Sequence, residues 1–296
     1  MQYSRKDFLK TATTGIAITA ITGKLLGSSS AAAFGKSGKL KEFGLQLYTL
    51  RDVMPKDPKG VLKQVAAMGY KQVESFEGEM GMFWGMKNTE FKKYMDDLGM
   101  QIVSSHCDID KDFNRKANEA AEIGMKYLIS PSLHNEADMD KDAYKKAADI
   151  FNEKGQICKN KGLRFAFHNH DQAFTKRESG FIPEDVLMQN TDPSLVDFEM
   201  DIYWVVTAGE DPIKWFEKYP NRFRLGHIKD RKKNAPLSDK DASCVAGKGE
   251  IDFPKILKAG QKNGLEYYII EQEHYDGITS LEASKENADY LKKLKI

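Results

Sequence analysis

Cysteine is scarce, with three residues in 296, Cys107, Cys158 and Cys244, far apart and without CxxC spacing. That excludes a disulfide framework and a cysteine zinc site and leaves three ordinary thiols. An excess of one charge is also lacking, since 45 basic residues face 44 acidic ones, and so there is no field to gather nucleic acid or an anionic membrane surface. Beyond the N-terminus no run approaches the roughly 18 apolar residues that a transmembrane helix needs. A glycine-rich nucleotide loop is missing after the first expected strand, where "GLQLYTLRD" holds no GxGxxG, and this disfavours a doubly wound dinucleotide-binding sheet. The remainder, 41% apolar and 30% charged with aromatics throughout, describes a soluble globular chain long enough for two ordinary domains or one large α/β barrel.

The first 33 residues differ in kind. A basic start (Arg5, Lys6, Lys10), a weakly apolar Ala/Ile/Thr/Gly middle and small residues ending at Ala31-Ala32-Ala33 predict an export signal with an A-x-A-like cleavage site. "SRKDFLK" resembles a twin-arginine signal with Lys in place of the second Arg. The expected destination is the periplasm, with no membrane contact after cleavage, and residues 34–296 form the mature domain.

From Lys39 onward, β-rich runs alternate with amphipathic helical stretches. Strands are expected at Phe43 to Tyr48, Gln72 to Phe76, Gln101 to Ser105, Tyr127 to Ser130, Leu163 to His168, Leu195 to Met200, Phe223 to Ile228 and Tyr267 to Glu271. Helical patterns fill the intervals. "MGY", "LGM", "IGM", "KGL" and "NGL" each put a Gly where a left-handed helix end is needed before a strand, and Pro58, Pro183, Pro212 and Pro254 sit near helix starts. Eight such units without a Pro/Ser-rich linker predict a single-domain α/β fold, a (β/α)₈ TIM barrel. Its active site belongs at the C-terminal ends of the strands.

All six histidines lie outside the expected helices: His106 after the third strand, His134 after the fourth, His168 and His170 ending the fifth, His227 ending the seventh and His274 after the eighth. Glu74, Asp201, Glu271 and Glu273 join them at strand ends. Side chains alternate along a strand, so His168 and His170 share a face, as do Glu271 and Glu273. On the inner wall, His168, Asp201, His227 and Glu271 would converge from four consecutive strands. Two imidazoles and two carboxylates suit one divalent ion, Mn²⁺, Co²⁺ or Zn²⁺.

These pieces carry a resemblance over essentially the whole mature part. "FGLQLYTLRD", "VSSHCD", "FAFHNHD", "VDFEMDIYWV", "FRLGHIKD", "GKGEIDFPKIL" and "YYIIEQE", in this order and spacing, resemble the xylose isomerase-like barrels of sugar isomerases and epimerases. The resemblance implies one divalent ion on strands five to eight, again at His168, Asp201, His227 and Glu271. Two departures stand out. His168 occupies a position where such epimerases usually carry Glu, and Trp204 replaces a His three residues after Asp201.

The chemistry implied is removal of a proton beside a sugar carbonyl, with the ion stabilising the enediolate. Return of the proton elsewhere gives isomerisation or epimerisation, the expected activity, and loss of a β-substituent gives elimination. Base and acid candidates are His170, Glu271, Glu273, His106 and Lys229. Glu74 and Glu273 are expected to bind substrate hydroxyls. Tyr48, Trp84, Phe174, Tyr203 and Trp204 are expected at the rim as flat surfaces for a sugar ring. The loop "EGEMGMFWGMKN" after strand two fits a lid or an apolar patch of a homo-oligomer. Asp252 reads as a helix N-cap. Export favours a small non-phosphorylated carbohydrate substrate and makes a 3-keto-glycoside lyase the first alternative. A non-catalytic carbohydrate-binding barrel and a nuclease resembling endonuclease IV are further ones, the last disfavoured by the near-neutral charge.

Overall fold

The computed structural model describes residues 38–296; the leader expected at 1–33 lies outside them. Eight strands, β1 (Gly44–Gln46), β2 (Gln72–Phe76), β3 (Gln101–His106), β4 (Tyr127–Ser130), β5 (Arg164–His168), β6 (Val196–Asp201), β7 (Phe223–Ile228) and β8 (Tyr267–Ile270), pair in parallel in chain order, and β8 pairs back to β1 to close the barrel. A principal helix follows each one: Pro58–Met68, Asn88–Asp97, Phe113–Glu122, Lys141–Lys159, Pro183–Asn190, Pro212–Lys218, Phe253–Lys262 and Ser280–Leu291.

Local chemistry sets these boundaries. Asp57, Asp211 and Asp252 cap helices whose first turn holds a proline, each carboxylate accepting from a backbone N–H of that turn, and Thr279 with Glu282 forms a capping box. The five glycines expected at helix ends, Gly69, Gly99, Gly124, Gly162 and Gly264, all have positive φ, between 66° and 100°. At Gly155 the reason for glycine is proximity, since a Cβ would lie 2.7 Å from the Leu195 carbonyl oxygen.

Alternation divides the side chains between two layers. Outward residues such as Leu45, Val73, Phe165, Phe167, Phe198 and Met200 join one large core against the helices, while Tyr127, Ile129, Ala166 and Leu225 form a small cluster of their own inside the barrel. Beside that cluster, Arg164 pairs with Asp197, whose Oδ2 also accepts from the Tyr127 hydroxyl at 3.1 Å. Higher up, the interior turns polar. Two register shifts interrupt the pairing, between Val73 and Glu74 and between Phe198 and Glu199, and each immediately precedes a buried glutamate.

Several short elements at the C-terminal rim were not expected: a 3₁₀ turn at Leu47–Leu50, helices at Asp171–Phe174 and Ile202–Thr207, and a two-stranded ribbon of Asp230–Arg231 with Ser243–Cys244. Asp230 does more than pair. Its carboxylate accepts from the N–H groups of Arg231, Gly247, Gly249 and Ile251, clasping the "GKGEI" loop beside Lys229. The three cysteines are free thiols, and among the described residues no helix is long and apolar enough to cross a membrane.

Candidate metal centre and active-site cavity

Two carboxylates and three imidazoles form the floor. Glu74 accepts from Gln46 Nε2 at 2.8 Å and from Ser104 Oγ at 2.5 Å, and lies 2.7 Å from His227 Nε2. Glu199 Oε2 lies 2.8 Å from His106 Nε2 and 3.1 Å from His168 Nδ1. Burial opposes every charge here, yet the groups hold one another. Burial would raise the Glu74 pKa, but His106 and His227 keep it well below the usual carboxylate range. Burial would lower the pKa of His106, but Glu74 and Glu199 lift it to about 9. Glu199, buried and repelled by Glu74, is pushed up to about 7. Burial and the neighbouring His227 and His106 hold His168 well below the ordinary histidine value.

Above this floor lies the candidate ion site. With its Nε2 engaged by Glu74, His227 turns Nδ1 toward Glu271 Oε2 at 3.4 Å and Asp201 Oδ2 at 3.7 Å. The three residues offer ligand atoms all within 4.8 Å of one another. Asp201 is held by local structure: it caps the helix Ile202–Thr207 through Oδ1, which accepts from Trp204 N at 3.2 Å, and its N–H donates to Asn169 Oδ1. Asp201 Oδ2 and His227 Nδ1 are buried without a hydrogen-bond partner. Leaving such atoms unpaired costs free energy that a shared cation would offset. The donor set therefore fits a divalent ion, with oxygen and imidazole ligands, and Glu271 also lines the cavity above.

His168 departs from the expected four. It belongs to a second group with His106, Glu199 and His227, and its hydrogen bond runs through Nδ1 to Glu199. This carboxylate–imidazole pairing is the kind that orients metal-bound histidines through the other nitrogen, and His168 lines the cavity above.

That cavity has a volume of about 280 Å³ and is lined by Tyr48, Phe76, Glu77, His106, Cys107, Asp108, Pro131, His168, His170, Glu271 and Glu273. Tyr48 and Phe76 meet edge to face at 5.2 Å and make its aromatic wall. Lys229, buried beside the site, is 3.2 Å from Glu271 Oε2 and 3.8 Å from Asp201 Oδ2, and it also pairs with Glu273. Burial would lower its pKa, but Glu271, Asp201 and Glu273 hold it above the ordinary lysine value. Burial and the Lys229 charge hold His170 down. Its ring stands 5.1 Å from His168 and 5.4 Å from Trp204.

The cavity wall thus brings together His106, His168, His170, Glu271, Glu273 and Tyr48, with Lys229, Asp201 and His227 packed beneath or beside them. Several expectations need correction. Glu74 is fully buried under His106 and His227, so it supports the imidazoles and cannot reach a substrate hydroxyl. Trp84 is turned inward, its Nε1 donating to Ser75 Oγ at 3.0 Å and its ring packed on Phe76. Phe174 packs on Trp215 and Tyr203 is buried with its hydroxyl on the Lys240 carbonyl, so neither forms the rim. Trp204 is 8% exposed and lies against Lys229 at 4.9 Å. His134 and His274 stay at the exposed edge with Asp110 and Asp276. In the expected lid or patch, Met82, Phe83 and Trp84 are buried in the core and Met80 alone among the loop's large apolar side chains is well exposed. Glu199 was missed, although its i, i−2 spacing from Asp201 signals the shared face. Phe76 was missed as a wall residue.

Comparison with known proteins agrees with this architecture. The family model for xylose isomerase-like TIM barrels matches residues 62–294. A sugar phosphate isomerase/epimerase from Parabacteroides distasonis superposes with a TM-score of 0.73 at 31% identity, covering 86% of this chain and 97% of its own. The inosose dehydratase of Clostridium perfringens is 29% identical over 161 residues, 50% of this chain and 53% of that protein; the chain thus spans about half the length of this relative. For the inosose dehydratase of Clostridium beijerinckii the match is 25% identical over 250 residues, 73% of this chain and 81% of the relative.

Proposed function

The chain belongs to the xylose isomerase-like TIM barrel family, and from that premise we propose that it is a metal-dependent lyase acting on a sugar or cyclitol ketone. It removes the proton on the carbon next to the carbonyl and expels a substituent from the carbon beyond. The observation that carries this reading is the pair of unpartnered buried atoms, Asp201 Oδ2 and His227 Nδ1, facing Glu271 beside a cavity of sugar size. A divalent ion bound there, Mn²⁺, Co²⁺ or Zn²⁺, supplies Lewis-acid polarisation of the ketone.

The chain's own residues do the rest. Asp201, His227 and Glu271 would hold the ion, and His168, whose Nδ1 is fixed by Glu199, would be free to offer its other nitrogen from the cavity wall. His170 accepts the proton, since burial keeps its imidazole neutral. Lys229, fixed by Glu273, donates a hydrogen bond to the departing oxygen. Tyr48 and Phe76 offer a face to the ring. One C–H bond and one C–O bond break, and the C–H electron pair becomes the new C=C bond. The inosose dehydratases among the relatives support elimination, as does His168 in place of a second catalytic glutamate.

Isomerisation or epimerisation is the second reading, favoured by the Parabacteroides distasonis relative. Incubation in deuterium oxide with ketoses and with keto-glycosides, followed by NMR, separates the two. An unsaturated ketone with a released leaving group is expected. Deuterium in an intact skeleton would establish the second reading, and neither product with any of the three ions would remove both. Export to the periplasm and a small, non-phosphorylated carbohydrate as the partner belong to the same proposal.

A further inference from the structure

A second cavity, of about 310 Å³, shares one lining residue with the first. It opens between the loop following β2 and the helix Phe113–Glu122, and Glu77 lines both chambers. The loop contributes Met80, Met82, Phe83 and Met86 together with Lys87, Asn88 opens the next helix, and the helix Phe113–Glu122 contributes Arg115, Lys116 and Glu119, so the lining mixes apolar and charged groups. Thioethers and a phenyl ring suit a flat, polarisable ring. Lys116 is the second observation. Its side chain is 2% exposed, and Nζ donates to Glu77 Oε2 at 2.5 Å and to the Asp108 carbonyl at 2.7 Å. An ammonium carries three N–H groups, so one donor at this cavity has no partner among the described residues.

We infer that the second cavity is the subsite for the departing group of the substrate, and that this group is a phenol joined through its oxygen. The inference rests on the lyase reading and extends it. Water, the leaving group of a dehydratase, needs no second chamber, whereas an aryl group attached to a sugar in the first cavity needs one of this size and lining. In the elimination the base takes the C–H proton and that electron pair forms the C=C bond. The aryl oxygen departs with the C–O pair, and a proton from Lys229 or solvent completes the phenol. Lys116 binds an oxygen on the ring.

The test uses the full chain labelled with ¹³C-methyl methionine and para-nitrophenol as the probe. Met80 and Met86 methyl resonances, assigned with Met80→Ala and Met86→Ala, are expected to shift saturably, and Lys116→Met to weaken binding about tenfold. In turnover, kcat/KM for a para-nitrophenyl keto-glucoside should exceed that for the methyl keto-glucoside, and this ratio should fall about tenfold in the double methionine variant. Both methionines are partly exposed, so these variants test the subsite without opening the core. Absence of methyl shifts at millimolar probe, or an unchanged ratio, overturns the subsite. If neither glycoside turns over, the lyase reading fails for glycosides, and the subsite stands or falls on the methyl shifts alone.

Discussion

Asp201→Asn separates the two jobs of one carboxylate. Oδ1 caps the helix Ile202–Thr207 through Trp204 N, and Oδ2 faces His227 and Lys229. Asparagine caps about as well as aspartate, so the start of that helix survives. The other oxygen becomes an NH₂ group, which cannot ligate a cation and presents hydrogens to the Lys229 ammonium at 3.8 Å. Loss of a residue that only orients a ligand costs about 10- to 100-fold in metal affinity. A ligating carboxylate sets at least the upper figure, about a hundredfold, or about 2.7 kcal/mol. Elemental analysis after dialysis against a chelator-buffered metal, with calorimetric titration, measures this. Asp201→Ala adds the loss of the cap, about 1 kcal/mol, visible as a lower unfolding midpoint in chelator-treated protein, where Asp201→Asn should sit near wild type. Wild-type metal affinity in both variants would refute the ligand assignment and the chemistry built on it.

Two further outcomes follow from groups away from the ion. Burial lifts the Glu136 carboxyl to about 7 despite Arg177 nearby; because its folded pKa exceeds the unfolded one, its contribution is full below about pH 4.5 and is lost as pH rises to about 7, a few kcal/mol at most. Urea unfolding across pH 5 to 8 should show a shallower fall in Glu136→Gln than in wild type, and identical slopes would contradict the buried-carboxyl account. Gly249→Ala would put a Cβ 2.2 Å from both the Arg231 carbonyl and Asp230 Oδ1, so the loop clasp should open at a cost of about 1–3 kcal/mol, and an unchanged unfolding midpoint would show that the clasp yields freely.

The barrel was legible because every strand is covered on both faces and every return carries its own chemical signs. Gly69, Gly99, Gly124, Gly162 and Gly264 mark helix ends through backbone conformation alone, and such signals need no tertiary context. Side-chain direction at the rim was less legible. Glu74 reads like any strand-end carboxylate, and only the register shift at Val73 and the packing of His106 and His227 over it put it under the floor. Trp84 reads as a rim aromatic, but its backbone has φ of 55° and its indole is drawn to Ser75. Asp201, His227 and Glu271 could be paired in advance because alternation on neighbouring strands fixes which faces they share. The division of His168 and Glu199 from that group depends on which imidazole nitrogen meets which oxygen, and no linear pattern encodes that.

The offsets beside Glu74 and Glu199 also bear on how this barrel can change over generations. Removing one residue ahead of either position would exchange inner and outer faces along the rest of the strand, turning Met200 or Ser75 toward the imidazoles and a carboxylate toward the oily layer under the helices. Staves two and six are thereby frozen in length even where their residues can vary, and insertions or deletions are left to the connecting segments.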